Sequence, residues 1–395
     1  MIPTSWFDVE KVWKNRVLFY PCLAVFLFWF FGAAVCSLLV TSRPSVIWLG
    51  ILSLPSIILV FLAAKRIHQA LAEEKPLDPP KAKAIPGFDR NFCWVVYGLL
   101  ILMVLGSTYL HHFQPQVLRV PSNTNISAWR NPDFSQTVIH DQMNAHQRAR
   151  FVSQGVIMGG SLAFQLLSDL FPLFLGFLCF VHARKHFGLW MATCFLAGSF
   201  VFTGLEESMW ILTGRFMPAH SLNPLGEPVF GTYWFTRGGL WFLETPVAAC
   251  VGWFFLAYGS VLVAQKVFPQ MGLWGRAAMG GLIAMGIDLW LDPVSTSPEI
   301  MSWVWAKGDI LLLFGIPHSN FVGWFLLIFL FALFWEKLPL MEAKTGRARA
   351  TARFFSIILA TEAGIFIFFG TWMFALAGLF GLFGLGHTLH LPPGW

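Results

Sequence analysis

The sequence predicts an all-α fold: a polytopic bundle of about nine transmembrane helices, with the N-terminus cytoplasmic and the C-terminus external. Three observations carry that prediction. Hydrophobic residues make up 56% of the chain, charged residues only 12%, and the mean hydropathy is +0.65, too little polarity to cover a soluble surface. Apolar runs long enough to cross a bilayer, which takes about 20 helical residues, recur along the chain. With nine spans, 18 of the 26 Lys and Arg fall on the face that holds the N-terminus, and cytoplasmic loops are the basic ones.

The opening MIPTSWFDVEKVWKNR is mixed in charge, and the apolar run behind it is too long for a cleaved signal peptide. Its Trp6, Val9, Trp13 and Val17 spacing suits a short interfacial helix. Spans are then expected at 17–41 and 46–64. A polar, proline-broken linker from Ala70 to Arg90 follows, and it divides residues 1–90 from a main bundle of residues 91–395. The third span is expected at 92–110. The external loop 111–150 has the length of loops that are functional or bind partners, and Asp133 can cap a helix leading onward. The remaining spans are placed at 152–181, 187–213, 238–264, 272–294, 308–335 and 354–386, with Gly214 to Arg237 read as an ordered loop or re-entrant turn. Topology absorbs the net charge of +6, so no nucleic-acid partner is expected. The six cysteines lie in or beside apolar runs without C-x-x-C pairing and read as small packing residues.

Ionisable groups inside spans cost about 2.5–3.5 kcal/mol each at mid-helix, so each is a functional candidate. Span five carries Glu206 and Glu207, span six Glu244, span seven Asp288 and Asp292, and span eight Asp309, His318 and Asn320. Asp169 and Glu362 read as isolated. Counting residues from the span ends puts Glu207 and Glu244 at similar depth, roughly 9 Å below the outer boundary at about 1.5 Å per residue. Asp288 falls near the same level, and His318 about ten residues into its helix by the same count. Too few basic residues lie at that depth to neutralise all the acids. A carboxylic acid kept neutral in an apolar slot is a general acid. The competing reading is that these groups pair with one another, or with Arg215 and Arg237, to lock the helices.

His182 and His186 have one-turn spacing, but the pair frames Arg184 and Lys185 at the cytoplasmic edge and reads as an interfacial basic belt. No metal site is assigned; a copper or zinc site built from His111, His112, His140, His146, His220, His387 and His390 is the weaker reading. The Trp-rich segments around the acids, with Tyr233, Trp234, Trp303, Trp305 and Trp324, can line an apolar slot and stabilise a cation through their ring faces.

The run LDPV, the later WVWAKGD and FGIPHSNFVGWF, preceded by FTGLEESMW and FGTYWF, resembles the integral-membrane carotenoid-biosynthesis family whose members hydrate the ψ ends of γ-carotene, lycopene or bisanhydrobacterioruberin. The resemblance covers roughly residues 198–335. It implies cofactor-free addition of water across a terminal C1=C2 bond. On that basis Asp292 or Glu207 is expected to donate the proton, with Glu244 or Asp288 as relay. His318 and Asn320 would hold the water, and Tyr233, Trp234, Trp303, Trp305 and Trp324 would line the slot. The expected partners are a long polyene or isoprenoid lipid and the membrane, with a bacterial cytoplasmic membrane as the location. Two other classes compete. One is a carotenoid-, quinone- or lipid-binding subunit that docks on a membrane complex through its N-terminal helices and external loop. The other is a metal-dependent membrane oxidoreductase. A proton-coupled transporter finds no support, because no inverted repeat is visible.

Overall fold

The computed structural model describes residues 82–114, 162–216, 221–222, 228–229, 233–235, 238–295, 302–305, 311–313, 316–383 and 389–391, with isolated helical positions at 58, 59, 61–63, 65 and 69. The interfacial helix, the 17–41 span, most of the 46–64 span and loop residues 115–150 lie outside them.

The architecture is a helical bundle. Its helices are α1 (Pro86–Phe113), α2 (Leu162–Phe187), α3 (Leu189–Ser199) continuing through a π-helical segment (Phe200–Leu205) into α4 (Glu206–Phe216), α5 (Val247–Val267), α6 (Leu273–Ser295), α7 (His318–Thr345) and α8 (Arg347–Leu382). Among the described residues, five stretches are long and apolar enough to cross a membrane: Pro86–Phe113, Leu189–Leu212, Val247–Val267, His318–Thr345 and Arg347–Trp372. The sequence signals that end these helices are visible. Gly188, at φ +91, turns the chain from α2 into α3, and Gly346, at φ +79, turns it from α7 into α8; both are conformations that only glycine adopts without strain.

Two expected boundaries move. Span six was placed from 238, yet α5 begins at Val247. Gly238 to Pro246 instead folds back as a short hairpin, β4 (Trp241–Phe242) against β5 (Thr245–Pro246), because Pro246 is extended (ψ 138) and supplies no N–H to a preceding turn. Span eight was placed from 308, yet α7 begins at His318, again just behind an extended proline, Pro317 (ψ 132). Other short strands are β1 (Ser221–Leu222) on β2 (Pro228–Val229), and β3 (Tyr233–Phe235) on β6 (Trp303–Trp305), antiparallel. A three-stranded sheet joins β7 (Leu311–Leu313), β8 (Ile316–Pro317) and β9 (Leu389–Leu391).

Within the bundle α6 packs along α5 and α7, α7 along α8, and α5 along α2. The core is aromatic. Phe195 meets Phe254, Tyr258, Phe331 and Trp335 edge-on at centroid distances of 4.7–5.5 Å, the geometry that ring quadrupoles favour. Close backbone approach needs glycine at one crossing above all: a Cβ on Gly281 of α6 would lie 2.7 Å from the Phe325 carbonyl oxygen of α7.

α1 is pinned to the bundle at three levels. At one end Asp89 binds Arg347, the first residue of α8, at 2.7 Å. Midway, Thr193 of α3 takes up Tyr97 (2.9 Å) and Cys93 (3.1 Å). At the other end Ser107, Thr108, His111 and His112 all reach the Gly238–Pro246 hairpin. The opposite side of α1, with Trp94, Val95, Leu99, Leu102 and Leu105, is exposed and apolar, as a lipid-facing surface is.

One member of the expected histidine belt faces inward. His182 turns inward, 9% exposed, with Nδ1 2.6 Å from the Tyr258 hydroxyl and its ring 4.1 Å from that of His186. Its ring lies against Tyr258 of α5, while Arg184, two residues on, is exposed in the last turn of α2.

Candidate functional site

The π-helical segment Phe200–Leu205 ends where Glu206 and Glu207 begin. Such a wide turn holds one residue more than an α-turn and commonly marks a functional position in a helix. Its closing carbonyl, Gly204, receives the hydroxyls of Ser208 (2.6 Å) and Thr245 (3.1 Å). Only glycine fits there, since a Cβ would sit 2.7 Å from Phe242 and 2.8 Å from Cys250 Sγ. The segment thereby grips the hairpin between α4 and α5.

That hairpin holds Glu244 in its two-residue turn, so Glu244 is not a span-six residue as the sequence predicted. It is 3% exposed, and its N–H donates to Ser208 Oγ at 3.1 Å. The neighbouring Leu243 takes φ +53, a strained value for a leucine. Helix α1 supplies partners for both of its backbone groups: its N–H donates to Ser107 Oγ at 2.9 Å and its carbonyl meets His111 Nε2. Asp169, read as isolated, in fact accepts the Gly239 N–H at 2.8 Å and anchors the start of the hairpin.

On α6, Asp288 and Asp292 are one turn apart and therefore on one face. They are 0% and 2% exposed. The side-chain nitrogen Nδ2 of Asn320, on the first turn of α7, donates to Oδ2 of both, at 2.7 Å each. An amide carries two protons, so one nitrogen can serve two carboxyls. Glu207 stands within electrostatic reach of both Asp292 and Glu206. Glu362 of α8, also read as isolated, is 3% exposed and stands within reach of Glu206. Among the described residues, no lysine or arginine pairs with Glu206, Glu207, Asp288 or Glu362.

His318 was expected about ten residues into its helix, but it opens α7, 6% exposed, two residues before Asn320. Its Nε2 accepts the indole N–H of Trp372 at 2.9 Å, which places the ring proton on Nδ1 when the imidazole is neutral. Trp372 stacks on Phe368 of α8 at 6.3 Å, and Phe366 and Phe369 of the same helix receive Trp210 at 4.4 and 6.3 Å. Sequence reading passed over Trp210 and Trp372; the i+4 spacing of Trp210 from Glu206 was the available signal for the first. Of the expected slot residues, Trp303 sits edge-on to Phe235 at 5.9 Å and Trp324 packs on the core. Tyr233 pairs with Trp305, and Trp234 with Val304, across the β3–β6 ladder.

The structure thus brings Glu207, Asp288, Asp292 and Asn320 together, adds Glu206 and Glu362, and sets His318 beside them and Glu244 in the adjoining hairpin. Groups of three or more His, Cys, Asp or Glu with metal-holding geometry are absent among the described residues. What these features define is a membrane-type helical bundle with a buried cluster of carboxyls on three of its helices. The chain belongs to the carotenoid biosynthesis protein family, whose model matches residues 168–385, a longer stretch than the motifs alone suggested. No curated protein and no solved structure matches it.

Proposed function

We propose that the chain is a carotenoid hydratase that adds water to the terminal C1=C2 bond of a ψ-end carotenoid by acid catalysis without a cofactor. Membership of a carotenoid biosynthesis family supports a long polyene as substrate. The observation that carries the reaction is the Asp288–Asn320–Asp292 arrangement with Glu207 beside it. Two carboxyls drawn to one amide nitrogen repel when both are ionised, so a single proton held between them is the stable state. Such a proton is available to an alkene.

Transfer to C2 uses the π electron pair to form a C–H bond and leaves a tertiary cation at C1. Water adds at C1, and a base takes its second proton. Asp292 is the donor in this reading, with Asp288 as its relay and Glu207 as the alternative donor. Asn320 holds the pair, and His318 and Asn320 position the water. Tyr233, Trp234, Trp303, Trp305 and Trp324 wall the polyene end, where aromatic faces stabilise the cation. Glu244 closes the site from the hairpin.

The test is to express the chain in membranes that contain a ψ-end carotenoid and follow the gain of one water per end. Asp292→Asn and Glu207→Gln are expected to lose hydration while the protein still accumulates. Full activity in both would remove this mechanism.

A further inference from the structure

The site contains a second pair of carboxyls, and the reaction above leaves it without a task. Glu206 opens α4 and Glu362 lies on α8. Their apposition follows from the register of two parallel helices. Gly198 rests against Ile358, and further along both helices Trp210 packs on Phe366 at 4.4 Å. Glu206 precedes Trp210 by four residues and Glu362 precedes Phe366 by four, so the two acids face each other one turn back. Successive helical residues point about 100° apart. Glu206 therefore addresses α8 while Glu207 addresses Asp292 on α6, and the adjacent pair bridges two helices that do not share a face.

A second observation points to a ligand. Glu362 is 3% exposed, and its Oε1 is buried without a hydrogen-bond partner, as is Oδ1 of Asp288 at the other end of the cluster. Buried polar atoms are normally satisfied, so each end of the cluster presents an acceptor that a water molecule or a substrate hydroxyl would fill.

We propose that Glu362, supported by Glu206, takes the proton of the attacking water on its unpartnered oxygen while giving up its own, and that Glu207 returns a proton to the Asp288–Asp292 pair. The proposal rests on the hydratase reading. The balance closes within the cluster. The donor aspartate loses its O–H proton to C2 and keeps the electron pair. Water forms the C1–O bond, and its O–H bond breaks toward Glu362. Glu362 gives its own proton to Glu206, Glu206 to Glu207 and Glu207 to the emptied aspartate, so each cycle consumes one water and no net proton. A site within a membrane has no bulk solvent beside it to recharge the acid, which gives this chain of carboxyls its use.

The experiment incubates the full chain, in membranes with a ψ-end carotenoid, in deuterium oxide, and reads two quantities. One is the hydrated product. The other is deuterium at C2 of recovered substrate, which reports protonation that reverses before water adds. Glu362→Gln is expected to lower hydration at least a hundredfold while exchange continues near the wild-type rate. Glu206→Gln, the second variant, is expected to show the same split, and Asp292→Asn to lose both. Wild-type hydration in Glu362→Gln overturns the proposal, as does loss of exchange together with hydration in both glutamine variants. A wild-type protein that neither hydrates nor exchanges overturns the hydratase reading itself.

Discussion

The two ends of the bundle treat buried acids in opposite ways. At the end where α8 begins, Asp89 is 6% exposed and Arg347 5%. Arg347 binds Asp89 at 2.7 Å, Glu342 at 2.6 Å and the Lys83 carbonyl at 2.6 Å, and its guanidinium lies 4.4 Å over the Trp190 ring. Trp190 in turn donates to Thr351 at 2.9 Å. Each carboxylate there faces the guanidinium. At the other end Asp288 and Asp292 receive one uncharged amide, and Glu362 keeps an unfilled oxygen. An acid satisfied by a guanidinium has a structural task, whereas the acids gathered on an amide are the ones the proposed reaction uses.

This contrast can be broken by substitution. The largest effect is expected at the amide-held pair. Asp292→Asn should lower hydration by about 10²–10⁴-fold, the range of a lost general acid, with thermal stability in detergent unchanged or raised. Next, Arg347→Met strands two carboxylates at the opposite end, and chemical unfolding should register a loss of about 3–5 kcal/mol. Activity per folded molecule should persist, and a loss of catalysis as large as that of Asp292→Asn would erase the distinction between the ends. Gly204→Ala comes third: the added Cβ meets Phe242 and Cys250 at 2.7 and 2.8 Å, and overpacking of this kind costs about 1–3 kcal/mol. Because Gly204 also holds Thr245, partial loss of activity is expected with it. Smallest is Trp372→Phe, which removes the N–H donated to His318 and should cost about 0.5–1.5 kcal/mol. A modest rise in KM or fall in kcat would show that His318 orientation matters to the reaction.

Much of the bundle was legible because apolar length is a strong signal. The runs at 92–110, 187–213 and 354–386 all became helices, each within a few residues of the expected bounds or extending beyond them. The acids were legible too, since charge inside a span stands out. What failed was the treatment of prolines inside apolar stretches. Hydropathy counts Pro246 and Pro317 as part of a greasy run, whereas the backbone treats each as the place where a helix starts. Glu244 and His318 were consequently misplaced along their elements. Glu362 and Asp169 looked solitary because their partners, Glu206 and the Gly239 N–H, are 156 and 70 residues away in the chain. Nothing local announces a contact of that range.

The wide turn at Phe200–Leu205 has a consequence for reading other members of the family. One residue fewer between Gly198 and Glu206 would restore an ordinary α-helix and swing every later side chain by about 100° around the axis. The two adjacent glutamates would then address different neighbours. A single-residue gap at this place in an alignment, easily dismissed as noise inside a helix, would mark a chain that has exchanged one chemistry for another.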